Sequence, residues 1–205
     1  LRRIGVAGRV SDNDGGPLYP GLHLTSNGGA GWTPVKVTGQ KGYVIEAAAF
    51  APSDARVIYA GGHTGGYTQG VLFRTANGGA SWTRLPWTAE YVTCVAVDAK
   101  NANIVYAGTM ADGVYRSADG GRTWVRCSAG AGGGGAYSIS ANASNPSEVV
   151  YGGRHGVFLS TDRGLTWADI SEGLLDKYVY HLELHAASRT LFAGTSNAGI
   201  WKRTL

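Results

Sequence analysis

The stretch SADGGRTW, residues 117–124, recurs with small changes as TSNGGAGW from Thr25, TANGGASW from Thr75 and STDRGLTW from Ser160. A hydroxyl residue, then Asp or Asn, a glycine and a closing tryptophan keep the same order four times in 205 residues. The closing tryptophans are Trp32, Trp82, Trp124 and Trp167, spaced by 50, 42 and 43 residues. That period is the length of a four-stranded propeller blade.

Three further runs repeat in step with this box. Upstream of it stand IYAGG from Ile58, VYAGT from Val105, VYGGR from Val150 and LFAGT from Leu191, with GVAGR from Gly5 as a weaker relative. Between that run and the box lie GVLFRT, GVYRS, GVFLS and, in the last repeat, GIWKR. Ahead of both come VIEAAAF, VTCVAV, YSISAN and VYHLEL. Short runs rich in β-branched and aromatic residues, bounded by Gly, Asn, Asp and Pro, read as strands of an antiparallel meander. With the strands named A to D in chain order, each box falls in the turn from C to D.

The expectation is therefore an all-β propeller of about five blades, at about residues 1–39, 43–86, 91–127, 136–170 and 178–205. The first repeat lacks strand A and the last stops after strand C. An unpaired edge invites pairing, so the reading is an arc of a larger ring, or one completed by a further segment or another chain. Ser171 before Leu174 and Leu175 is compatible with a helix cap. The repeat register limits any helix there to a single turn.

Composition narrows the function classes. The 33 glycines are scattered, as many tight turns require. Charge is low at 16%, and the net +4 is spread singly without a basic run, so nucleic acid is not an expected partner. Membrane insertion is not expected either, because even YVIEAAAFAP carries Glu46. The chain opens at Leu1 without an initiator methionine or a signal-like run, which reads as a processed or truncated N-terminus. Cys94 and Cys127 pair only if the fold joins them. Asn142 begins a formal glycosylation sequon.

In the box, Asp119 or Asp162 is suited to accept amide hydrogen bonds of its own turn, as are Asn27 and Asn77, while the tryptophan packs beside it. The boxes resemble the Asp-box, or bacterial neuraminidase repeat, S/T-x-D-x-G-x-T-W. SADGGRTW and STDRGLTW match it at each specified position, and the other two replace Asp with Asn. The blades are similar to those of sortilin-like, xyloglucanase-like and photosystem-assembly-factor-like propellers. The resemblance implies that Asn27, Trp32, Asn77, Trp82, Asp119, Trp124, Asp162 and Trp167 are structural and lie away from the ligand face. It also implies an extracytoplasmic or secreted protein. The Arg-Ile-Pro motif that sialidases of this repeat class usually carry near the N-terminus is absent, which argues against sialidase activity.

Ligand contacts are then expected from the loops joining B to C and D to the next A. Those loops carry Arg9, His63, Tyr67, Trp87, Glu90, Arg154 and His155, a mix of aromatic and polar groups suited to a sugar or a peptide. Glycoside hydrolysis needs two carboxyl groups across the scissile bond. Asp112 and Glu90 fall on that face, but no spacing singles them out as a pair. SDNDGG at 11–16 has the look of a calcium loop without its later glutamate. AGAGGGG at 129–135 lacks the Lys-Ser or Lys-Thr of a phosphate loop. His181 and His185 share a strand face, with an inter-blade hydrogen bond the expected role. No metal or cofactor is expected. The reading is a non-catalytic binding or scaffold propeller for a protein, peptide or glycan. The alternatives are a glycoside hydrolase fragment and a lectin-like ring.

Overall fold

The computed structural model describes residues 4–10, 19–38, 42–65, 69–127 and 133–205, those up to residue 20 by backbone alone. Five antiparallel sheets follow one another along the chain. The first holds β1 (Ile4–Val10), β2 (Tyr19–Thr25) and β3 (Thr33–Lys36). The second holds β4 (Tyr43–Ala51), β5 (Asp54–Thr64), β6 (Gly70–Thr75) and β7 (Thr83–Arg84). The third holds β8 (Val92–Val97), β9 (Val105–Thr109), β10 (Val114–Ser117) and β11 (Val125–Arg126). The fourth holds β12 (Ala136–Ala141), β13 (Val149–Gly153), β14 (Gly156–Ser160) and β15 (Ala168–Asp169). The fifth holds β16 (Val179–His185), β17 (Thr190–Thr195) and β18 (Ile200–Thr204).

Each sheet is a blade, and the innermost strands lean on one another in order: β1 on β4, β4 on β8, β8 on β12, β12 on β16. Among the described residues the fold is a β-propeller arc with three four-stranded blades and a three-stranded blade at each end. Apolar residues fill the wedge between successive blades. Leu22, Ile45, Ile58 and Phe73 lie between the first and second, and Tyr59, Leu72, Val92 and Val105 between the second and third. Tyr106, Val114, Ala136 and Tyr151 separate the third from the fourth, and Val150, Val157, Val179 and Leu191 the fourth from the fifth.

The repeated turn is built alike in all four copies. Ser117 Oγ accepts the Gly121 amide at 2.9 Å, and Asp119 Oδ1 accepts the amides of Arg122 and Thr123 at 2.9 Å each. In the Asn copies, Asn27 Oδ1 accepts the Gly31 amide and Asn77 Oδ1 the Ser81 amide, both at 2.9 Å. The tryptophans behave less uniformly than the motif implies. Trp82, Trp124 and Trp167 are half-buried, each against the core shared with the preceding blade. Trp32, in the first of the described blades, stands 43% exposed. Arg163 adopts φ 61° where the other three turns have Gly28, Gly78 and Gly120.

These turns link stability to acid. The Thr166 hydroxyl and amide hold the Asp162 carboxyl down at about 2, and Thr123 depresses Asp119 in the same way. A depressed folded value contributes stability above the unfolded value near 3.9, and that contribution is lost as pH falls through the folded one. Asp162→Asn is therefore expected to flatten the dependence of melting temperature on pH between about 4 and 2. An acid limb identical to wild type would show that this carboxylate is not linked to folding.

Two sequence expectations change. The fourth blade pairs one residue out of step with its motif: Gly152, not Gly153, stands opposite Val157, as Gly108 stands opposite Val114. The slip turns Tyr151 toward the third blade, whereas Tyr106 faces the fourth. The Gly-Gly pair makes both registers sterically open, so the motif did not fix which one forms. Ser171 opens a turn, with the Leu174 amide donating to its carbonyl at 3.0 Å, rather than a helix. Cys94 and Cys127 are free thiols. Asn142 is buried, its Nδ2 donating to Glu148 Oε2 at 2.8 Å, so the sequon is closed in the fold.

Candidate functional site

Every innermost strand from β4 onward carries one extra residue at the same level. Ile45 pairs with Gly62 and Ala47 with Gly61, which leaves Glu46 outside the ladder. By the same count Thr93 is left out between Val92 and Cys94, Tyr137 between Ala136 and Ser138, and Tyr180 between Val179 and His181. The residue before each insertion, Ile45, Val92, Ala136 or Val179, is fully buried. Such a bulge frees a residue from pairing and re-aims its side chain. Here it does so near the start of four neighbouring strands, beside the loops from D to A.

The four bulged residues meet different surroundings. Glu46 Oε1 lies 3.2 Å from His63 Nε2, while His63 Nδ1 lies 2.5 Å from the Thr64 carbonyl. The His63 ring is 1% exposed and meets Tyr91 edge-on at 4.4 Å. The Thr93 hydroxyl donates to the Ala136 carbonyl of the next blade. Tyr137 and Tyr180 join Tyr178 in a cluster across the last two blades. The Tyr137 and Tyr178 rings stack at 5.3 Å with their hydroxyls 3.0 Å apart, and Tyr180 lies 5.8 Å from Tyr137 and 5.0 Å from Tyr178.

Arg154 and His155 border this cluster. They form the exposed turn between β13 and β14. A Cβ on Gly134 would stand 2.7 Å from His155 Cδ2 and 3.6 Å from Arg154 Cβ, so the loop ahead of Tyr137 runs against both. Burial, and then the Tyr178 hydroxyl, push the Tyr137 phenol up to about 12, which keeps it a neutral donor across the physiological range. Tyr180 is 56% exposed. The result is an open aromatic surface with a guanidinium and an imidazole at its border.

The expected ligand residues separate into groups. Arg154 and His155 come together at the tyrosines. His63 is buried behind Glu46 and presents no free surface. Trp87 is corrected from ligand contact to packing: it is 6% exposed, wedged at 5.0 Å from Trp124 and 5.1 Å from Tyr115, with Nε1 donating to the Glu90 carbonyl at 3.1 Å. Arg9 is in β1, described by backbone alone, and Tyr67 and SDNDGG lie outside the described residues. Glu90 is exposed, and the Asp112 carbonyl accepts Arg126 Nε at 2.6 Å. Burial first, then Asp112 and Glu90, push the Tyr115 phenol upward. His185 Nδ1 lies 2.7 Å from Ser188 Oγ of its own hairpin, not of another blade.

Tyr137, Tyr178 and Tyr180 were not picked out from sequence, because a bulge leaves no compositional mark. The available signal was the aromatic recurrence at the start of strand A, in AYS and YVY. Among the described residues, no group of three or more His, Cys, Asp or Glu is arranged to hold a metal ion. Nor is any helix there long and apolar enough to cross a membrane.

No family model matches the chain, and no curated protein matches it. Solved structures do. The chain is similar to a GH74 enzyme from Niastella koreensis, with TM-score 0.68 and 22% identity over 98% of this chain and 36% of that one. An ancestral GH74 enzyme aligns at TM-score 0.64 and 21% identity over 90% of this chain and 26% of that one. YCF48 bound to D1 peptide aligns at TM-score 0.59 and 16% identity, over 98% of this chain and 65% of that one. The chain thus spans about a third or less of the GH74 enzymes, and the likeness shows the propeller fold.

Proposed function

We propose that the chain is a binding propeller that holds a glycan across the loop-bearing ends of its last two blades. The observation that supports this is the Tyr137, Tyr178 and Tyr180 cluster bordered by Arg154 and His155. Ring faces offer apolar area to the carbon face of a pyranose, and adjacent polar groups fix its hydroxyls. The surface is open, as a long chain passing through the site requires. Glu46 and Thr93 continue the same level onto the earlier blades and extend the track. An extracytoplasmic location belongs to this reading and rests on the repeat resemblance.

A β-glucan oligosaccharide is the first probe. Calorimetric titration is expected to show binding that Tyr180→Ala and Arg154→Ala each weaken roughly tenfold while leaving the melting temperature close to wild type. Undiminished affinity in both variants would remove this surface from the site. Capture of an extended peptide in place of the oligosaccharide would favour the second reading, which the likeness to peptide-bound YCF48 supports. Hydrolysis of the oligosaccharide, abolished by Asp112→Asn or Glu90→Gln, would favour a glycoside hydrolase, which needs two such carboxyl groups across the scissile bond.

A further inference from the structure

A cavity of about 260 Å³ lies between the second and third blades, at the ends of the strands that bear the repeated turns and away from the tyrosine cluster. Arg74, Arg84 and Arg122 line it, together with Asn103 and Asp119. Arg74 Nε donates to the Tyr59 hydroxyl at 3.2 Å, and Tyr59, which is fully buried, donates in turn to the Ala102 carbonyl at 2.9 Å. Arg84 Cζ stands 5.7 Å from the centre of the Tyr43 ring, and Arg122 Nη1 donates to the Asp119 carbonyl at 3.4 Å. Each guanidinium group is thus anchored, yet among the described residues none of the three is in an ion pair.

The nearby carboxylates are already engaged. Asp119 Oδ1 accepts the amides of Arg122 and Thr123, and its Oδ2 accepts the Thr123 hydroxyl at 2.6 Å. Asp54, which also lies in electrostatic reach of Arg74, is held by Arg56 Nε at 3.1 Å and Nη2 at 3.0 Å. The junction between the third and fourth blades shows what is different here. There Arg163 takes the place of Gly120, and its Nε lies 3.5 Å from Oδ2 of Asp98, whose side chain is wholly buried. Leu165 stands where Arg122 does. Counted from the bulges, the place of Asp98 is taken in the second blade by Ala51. One junction therefore carries its own counter-ion, whereas the other has an added arginine and no such carboxylate. A Cβ on Gly120 would stand 3.1 Å from Asn103 Oδ1 and 3.7 Å from Arg74 Nε, so the glycine keeps the space beside Arg74 open.

We propose that this cavity binds a phosphate dianion, free or carried as a monoester, between the guanidinium groups of Arg74, Arg84 and Arg122. Three guanidinium groups against the one Asp119 carboxylate leave an excess of two positive charges in the lining. A dianion balances that excess and a single carboxylate does not. The forked N–H groups of arginine match the oxygens of a phosphate face, and a phosphate carries close to two charges at neutral pH. The site is independent of the glycan surface, because it shares no residue with it.

Calorimetric titration of the whole chain with inorganic phosphate, and in parallel with glucose 6-phosphate, tests this. The expected result is saturable binding at one site, with a rise in melting temperature as phosphate is added. Arg84→Gln and Arg122→Leu should each weaken it roughly tenfold. Both side chains are exposed, and leucine already occupies the second position in the next junction, so each variant should keep the wild-type melting temperature without phosphate. Arg56→Gln removes the same charge outside the cavity and should change the affinity less than about twofold. Tighter binding of glucose 6-phosphate would assign the site to a monoester, and its exclusion would assign it to the free ion. Acetate bound as tightly as phosphate overturns the proposal. So does the lack of saturable phosphate binding, an affinity that Arg84→Gln and Arg122→Leu leave unchanged, or an equal loss in Arg56→Gln.

Discussion

Gly108→Ala is expected to destabilise the protein by about 3 kcal/mol, whereas Gly194→Ala at the same register should change it by less than about 0.5 kcal/mol. The backbone conformation at neither site demands glycine, since neither φ is left-handed. The difference is space. A methyl on Gly108 would stand 2.4 Å from Cys94 Sγ and 2.7 Å from the Ala136 carbonyl oxygen, so the third and fourth blades must part to admit it. A methyl on Gly194 meets only ordinary contact distances. Thermal melts of the two variants side by side check the prediction. Equal losses would mean that the glycines answer to strand geometry and not to the approach of the next blade.

Trp124→Ala should cost about 3 kcal/mol, and Trp32→Ala less than about 1 kcal/mol, although both close the same turn motif. Trp124 packs against Trp87 and the core between the second and third blades, and its Nε1 donates to the Gly121 carbonyl at 3.1 Å. Removing it opens a void beside a second tryptophan. Trp32 is 43% exposed and is not part of an inter-blade core. Denaturant unfolding of both variants distinguishes packing from turn chemistry. If the turn itself required the indole, the two substitutions would cost the same.

Most of the fold was legible in the sequence, because a blade is written in turn residues and in period-two apolar runs. Both leave marks at fixed spacing. The three-stranded ends followed from counting those runs. The slip in the fourth blade did not, since Gly152 and Gly153 satisfy either pairing and only contact with the third blade decides. The site was less legible. Arg154 and His155, expected from the loop between the second and third strands, do stand beside the tyrosines. Trp87 was misjudged because a loop position says nothing about burial, and its ring fills a wedge that exists only after two blades meet. The tyrosines were missed for a related reason, as their grouping depends on a bulge and on the neighbouring blade.

The four bulges also divide what must stay from what can change. Ile45, Val92, Ala136 and Val179 are committed to the core, and the next residue in each strand is excused from the ladder. That residue is now Glu, Thr, Tyr and Tyr in successive blades. A substitution there alters the chemistry of the rim without reopening a pairing register or an apolar wedge. The four blades therefore share one fixed frame and differ at one editable letter, a position whose side chain can be respelled without refolding the blade.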